Sequence, residues 1–187
     1  MRKTMLAATA VIAAAMLGCI PSLHSLFTDK DLVVEPALAG TWTSDDGKTK
    51  FTFKPKSDSK AYELVCEEKE HGTATLEARV GRIGKHLIAD TAITDYDNLG
   101  IKTDIAKFHL VPTRLFTRIA IEGDTLRYAT LNVEWLKKGI EEKKLTIAHA
   151  LVNDMLVLTA TTADLQAFLA KHADDSGAFQ EPHDLKR

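Results

Sequence analysis

Two alternating runs joined by Gly123-Asp124 constrain this chain more than any other feature. Leu115, Thr117, Ile119 and Ile121 fall at every second position on one side, and Leu126, Tyr128 and Thr130 do the same on the other. Such alternation marks a strand with one buried face, and a two-residue link containing glycine joins strands as a hairpin. Hairpins join strands only in antiparallel fashion, so the spacing predicts an antiparallel meander.

The same period recurs upstream. Phe51 and Phe53 alternate with Lys50, Thr52 and Lys54, and Tyr62, Leu64 and Cys66 alternate with Glu63, Val65 and Glu67. Ala74, Leu76, Ala78 and Val80 form another inward row, and a turn at residues 81–85 leads to His86-Leu87-Ile88-Ala89. Phe108 and Leu110 suggest one more strand, which Pro112 either ends or marks as a sheet edge. A second hairpin is predicted from Ile147 to Val152, Asn153-Asp154, and Met155 to Thr159. Two stretches break the pattern. Asn132 is placed to cap a helix reaching about Lys144, with Val133, Leu136 and Ile140 on one face. Thr161 with Asp164 has the spacing of a capping box before Leu165, Phe168, Leu169 and His172. Together these give about eight to ten strands, enough for a small barrel or a sandwich. The expected class is mainly β (α+β): an antiparallel barrel or sandwich with two short helices in the C-terminal half.

The N-terminus reads differently. Arg2 and Lys3 precede an almost unbroken apolar run from Met5 to Leu17. That run is shorter than the ~20 residues a membrane-spanning helix needs, and it has the layout of a secretory signal peptide. Its ending, Met16-Leu17-Gly18-Cys19, resembles the lipobox of bacterial lipoproteins. The resemblance implies cleavage before Cys19, acylation of its thiol with groups such as palmitate, and a second acylation at the new N-terminus. Two fatty chains hold a protein on a membrane stably, since each buried methylene contributes about 0.8 kcal/mol. In that family an Asp after the cysteine retains the protein in the inner membrane. Ile20 stands there, which implies the outer membrane of a double-membraned bacterium, facing the periplasm. The organisation expected is residues 1–18 as signal peptide, 19–38 as tether, 39–174 as antiparallel β domain with two helices, and 175–187 as flexible tail.

The opening of that domain, Gly40-Thr41-Trp42, resembles the Gly-x-Trp of lipocalin-type barrels, and Thr94-Asp95-Tyr96 resembles the same family's second motif. The resemblance implies a tryptophan across the barrel floor and an apolar ligand in the mouth. Trp42, Phe53, Tyr62, Phe108 and Tyr128 are the candidate lining, against the plainer reading that strand alternation alone buries them as core. More loosely, the mature chain is similar to small bacterial lipoproteins without an assigned activity, which share Gly-Thr-Trp and closings like Leu158–Thr162 and Leu165–Leu169.

Reactive chemistry is sparse. The chain has two cysteines, so with Cys19 acylated only Cys66 remains and no internal disulfide forms; Cys66 falls on an apolar face as a small inert hydrophobe. Asp95-Tyr96-Asp97-Asn98-Leu99-Gly100 starts like a calcium loop but has Leu99 and Ala106 where oxygen ligands are required, and it reads as a solvated loop. The seven histidines stand singly, without the spacing that groups metal ligands. His149, between Ile147 and Leu151, reads as a partly buried ring satisfied by a neighbour, and His172 as a ring at a helix C-terminus. No nucleophile elbow or phosphate loop occurs, so no catalytic residue, metal or cofactor is assigned. Net charge is −2, or −4 without Arg2 and Lys3, which gives no electrostatic footprint for nucleic acid. The function expected is a noncatalytic lipid-anchored envelope protein that binds a small apolar ligand. The alternative is a structural lipoprotein docking an envelope protein, and a hydrolase comes third.

Overall fold

The computed structural model describes residues 19–94, 103, 105 and 110–187. After a 3-10 turn at Pro36–Leu38 come β1 Gly40–Thr43, β2 Thr49–Pro55, β3 Tyr62–Glu68, β4 Gly72–Ile83, β5 His86–Ile93, β6 Arg114–Glu122 and β7 Thr125–Thr130. The chain then forms α1 Val133–Glu141, the hairpin of β8 His149–Val152 and β9 Met155–Leu158, α2 Thr162–His172, and finally β10 His183–Lys186. Strands β1 to β7 pair in sequence, and β10 enters between β7 and β1 to close an eight-stranded antiparallel barrel. The fold is thus mainly antiparallel β with two short helices, a lipocalin-like barrel. The closing seam is short, with Thr43 paired to Lys186 between β1 and β10.

Local chemistry explains the elements. Gly123 takes φ 59° in the two-residue turn between β6 and β7, where a side chain would be strained. Asn132 accepts from the backbone N–H groups of Glu134 and Trp135 at the start of α1. Thr161 accepts from Asp164 N at 3.3 Å and donates to the Asp164 carboxylate at 2.7 Å at the start of α2. Helix α1 ends at Glu141, short of Lys144, because Lys143 turns to φ 58°.

Alternation divides the apolar residues between two cores. Inside the barrel lie Leu38, Trp42, Phe53, Tyr62, Leu64, Ala78, Val80, Leu87, Ala89, Ile119, Leu126 and Leu185. Outside, Ile83, Ile88, Phe116 and Ala129 project from the wall against α1, α2 and the N-terminal segment. Burial of each large side chain contributes about 1.5–3 kcal/mol.

The structure departs from the sequence reading at both ends. Residues 19–38 are not a free tether: Ile20, Leu26, Phe27, Leu32 and Leu38 are buried. The Phe27 ring packs against Gly81, where a Cβ would come 2.5 Å from it. Asp90, fully buried on the outer face of β5, accepts from Ser25 Oγ at 2.7 Å, from Leu26 N at 2.9 Å, and from Arg114 Nε. The segment has no strand or helix period because it follows the outer wall irregularly as far as Leu32 and then turns in at Leu38 beneath the barrel. Residues 175–187 are likewise not a flexible tail. His183 to Lys186 pair with Tyr128 to Thr125, and Leu185 is buried in the barrel interior. Of the strand expected around Phe108, residues 106–109 lie outside the described residues, and Leu110 to Thr113 are not strand.

Candidate functional site

The barrel has a closed end and a half-exposed end, and the gradient between them defines the site. At the closed end Trp42 Nε1 donates to Leu38 O at 2.9 Å. The Tyr62 hydroxyl donates to Glu35 O at 2.9 Å and accepts from Glu35 N at 2.8 Å. Arg187 covers the Trp42 ring at 4.4 Å and donates to Ala37 O and Ala39 O, each at 2.7 Å. Trp42, Phe53 and Tyr62 are 0%, 4% and 1% exposed, so the β1–β3 side of this floor is closed, while Ile121 on the β6–β7 side is half-buried.

Toward the other end, where β1 meets β2 and β3 meets β4, the inward residues Phe51, Cys66, Leu76 and Tyr128 are only half-buried. Register places Phe51 opposite Cys66, and Cys66 opposite Ala74. The Phe51 and Tyr128 rings lie 5.5 Å apart, and Tyr128 lies 5.4 Å from the His183 ring. Burial, and then the Glu68 charge, push the Cys66 thiol up to about 12. Burial pushes the Tyr128 phenol up as well, helped by Cys66 and Glu68. Both groups are therefore neutral at ordinary pH. A protonated thiol is a poor nucleophile, so this level of the barrel offers an apolar surface with a polar edge rather than a reactive centre.

Of the expected lining residues, Trp42, Phe53, Tyr62 and Tyr128 all project into the barrel. Only Tyr128 stands at the accessible level; the other three form the floor, because the 3-10 turn and Arg187 seal that end. Phe108 and the calcium-like stretch Asp95 to Gly100 lie outside the described residues. Sequence reading missed Phe51 and His183 as members of this level. Phe51 had the same alternation signal as Phe53, whereas His183 lay in a stretch read as tail.

Cys19 is half-buried, its thiol hydrogen-bonded with the Thr130 hydroxyl and pushed up by burial. His149 is exposed rather than partly buried, with its Nδ1 2.8 Å from Ile147 O, because β8 presents both faces to solvent. His172 ends α2, 2.7 Å from the Asp175 carboxylate and 4.9 Å from the Phe168 ring.

A groove of about 640 Å³ follows β6 and β7 near the closed end, past Arg82, Lys85, His86, Arg118 and Arg127, and it also touches the inward residues Ile119, Ile121 and Tyr128. Most of its cations are already matched: Arg82 by Glu35 at 3.5 Å, Lys85 and His86 by Asp174 at 2.9 and 2.7 Å, and Arg127 by Asp184 at 2.8 Å. Arg118 lies 4.4 Å over Phe179. Among the described residues, carboxylates thus offset most of the groove's positive charge.

Among the described residues no three His, Cys, Asp or Glu side chains are grouped to hold a metal ion, and no helix is long and apolar enough to cross a membrane. No protein-family model, curated protein or solved structure matches the chain.

Proposed function

We propose that this protein is a noncatalytic, lipid-anchored bacterial envelope protein that holds a small apolar molecule in the half-exposed end of its barrel. The observation that carries the reading is the exposure gradient along the interior, from a floor sealed at Trp42 to a level where Phe51, Leu76 and Tyr128 remain half-buried. Apolar side chains left partly open in a concave setting gain by covering themselves with an apolar guest. A guest burying about ten methylenes gains about 8 kcal/mol before its ordering costs, the scale of micromolar binding. The lipobox-like Met16 to Cys19 supports the anchor, and Ile20 after the cysteine supports the outer membrane.

The test is titration of a fluorescent fatty acid into the domain from Ile20 onward. Saturable uptake is expected, together with a loss of affinity of tenfold or more in Leu76→Glu. Absence of saturable uptake in the folded domain counts against the reading.

One observation favours docking of an envelope protein as a second reading. Leu151, Val152 and Met155, 67%, 49% and 51% exposed, cluster at the turn of the β8–β9 hairpin. Leu151→Asp leaves fatty-acid uptake unchanged under the first reading and abolishes partner crosslinking in the envelope under the second.

A further inference from the structure

Backbone pairing at the half-exposed end of the barrel fixes where the proposed anchor begins. Strand β7 leaves the wall after Thr130, which pairs with Thr117. Strand β6 extends further, to Arg114, and the N-terminal segment takes its vacated flank. Ser22 N donates to Arg114 O at 2.9 Å, and Arg114 N donates to Ser22 O at 2.8 Å. This bridge is a single antiparallel pair, and from it residues 21 to 19 run back toward the end of β7. Ile20 is buried in the outer core that also holds Phe116, and the Cys19 thiol hydrogen-bonds with Thr130, the last residue of β7. There is no slack between the thiol and the wall, since Ile20 and Pro21 are buried and Pro21 O accepts from Leu158 N at 2.8 Å.

Acyl chains on Cys19 would therefore leave the protein at the rim of the half-exposed end, not from the tip of a tether. Three exposed apolar residues stand at the same rim. Leu23 follows Ser22, and Leu110 and Val111 lead into Arg114; they are 42%, 37% and 65% exposed. The geometry points to a lipid bilayer as the occupant of this rim: the barrel sits mouth-down on the leaflet that takes its acyl chains, with Leu23, Leu110 and Val111 in the headgroup layer. An apolar molecule then passes between leaflet and barrel without crossing water. Val34, 55% exposed beside the floor, faces away from the membrane. The inference rests on the lipoprotein reading above and adds an orientation to it.

The experiment reconstitutes the mature acylated protein in phosphatidylcholine vesicles whose acyl chains carry bromine, a tryptophan quencher. Leu23→Trp, Val111→Trp and Val34→Trp are compared with the unsubstituted chain, and Leu110→Trp serves as a second rim probe. The emission added at positions 23, 110 and 111 is expected to be lost, and that added at 34 to persist. Flotation with the vesicles reads the anchor separately. A chain that floats yet keeps its rim emission, or loses it at 34 instead, overturns the orientation alone. A chain that does not float overturns the lipoprotein reading and the orientation with it. Rim probes shielded by self-association in detergent would make this face an interface between copies and equally overturn the orientation.

Discussion

The Arg187 guanidinium lies 4.4 Å above the Trp42 ring while donating to the carbonyls of Ala37 and Ala39, at 2.7 Å each. One side chain thereby joins the end of the last barrel strand, the tryptophan of the first, and the 3-10 turn that plugs the floor. It also reinforces the seam between β10 and β1, where the register pairs Thr43 with Lys186. Truncation by Arg187→Ala removes a cation–π contact and two charged hydrogen bonds, for an expected loss of about 2 kcal/mol. A lowered urea midpoint with an unchanged slope is the result that checks it. Removal of residues 183–187 should do far more, since it opens the barrel.

The Asp90 carboxylate is the lock on the N-terminal segment. With Ser25, Leu26 and Arg114 all bonded to it, Asp90→Ala leaves a largely buried guanidinium without its counter-charge, and Arg114 Nη2 already has no hydrogen-bond partner. Such a loss typically costs about 3–5 kcal/mol. Limited proteolysis is expected to show new cleavage within residues 22–31, and the pair Asp90→Leu with Arg114→Met to recover part of the stability.

The Cys66 thiol gives a pH signature. Its ordinary value is 9.0 and burial raises it to about 12, so the folded state favours the protonated form. That contribution is fully present below about pH 9 and is lost as pH rises toward 12, where the unfolded chain has already released the proton. In a Cys19→Ser background, Cys66 should resist iodoacetamide at pH 8 and react on unfolding in urea. Cys66→Ala should flatten the fall in urea midpoint between pH 9 and 11.

Strands, turns and caps were legible wherever the signal was local. Gly123-Asp124, Asn132, the Thr161–Asp164 pair, and the inward rows through Tyr62 and Ala78 all depend on neighbours within a few residues. What the chain did not announce depends on distant partners. Arg187 has no local pattern; it becomes intelligible only when β10 lands beside β1, 140 residues and more from Ala37. Barrel and sandwich differ in whether that last strand closes the sheet, which strand periodicity cannot express. The packing of residues 19–38 escaped notice because Leu26, Phe27 and Leu32 follow no period, yet each meets a gap such as the one Gly81 leaves for Phe27. Of the expected lining, Trp42, Phe53 and Tyr62 were identified as inward-facing, while their level in the barrel was set by the plug that seals the floor.

The central claim, an acylated thiol holding this barrel at a membrane, is tested most directly by intact mass spectrometry of the protein extracted from its own host's envelope. The account predicts a chain beginning at Cys19 and heavier than its sequence by a diacylglyceryl group and an amide-linked acyl chain, with both additions lost in Cys19→Ser. A mature chain with a free Cys19 thiol, or one trimmed past Cys19, would contradict it.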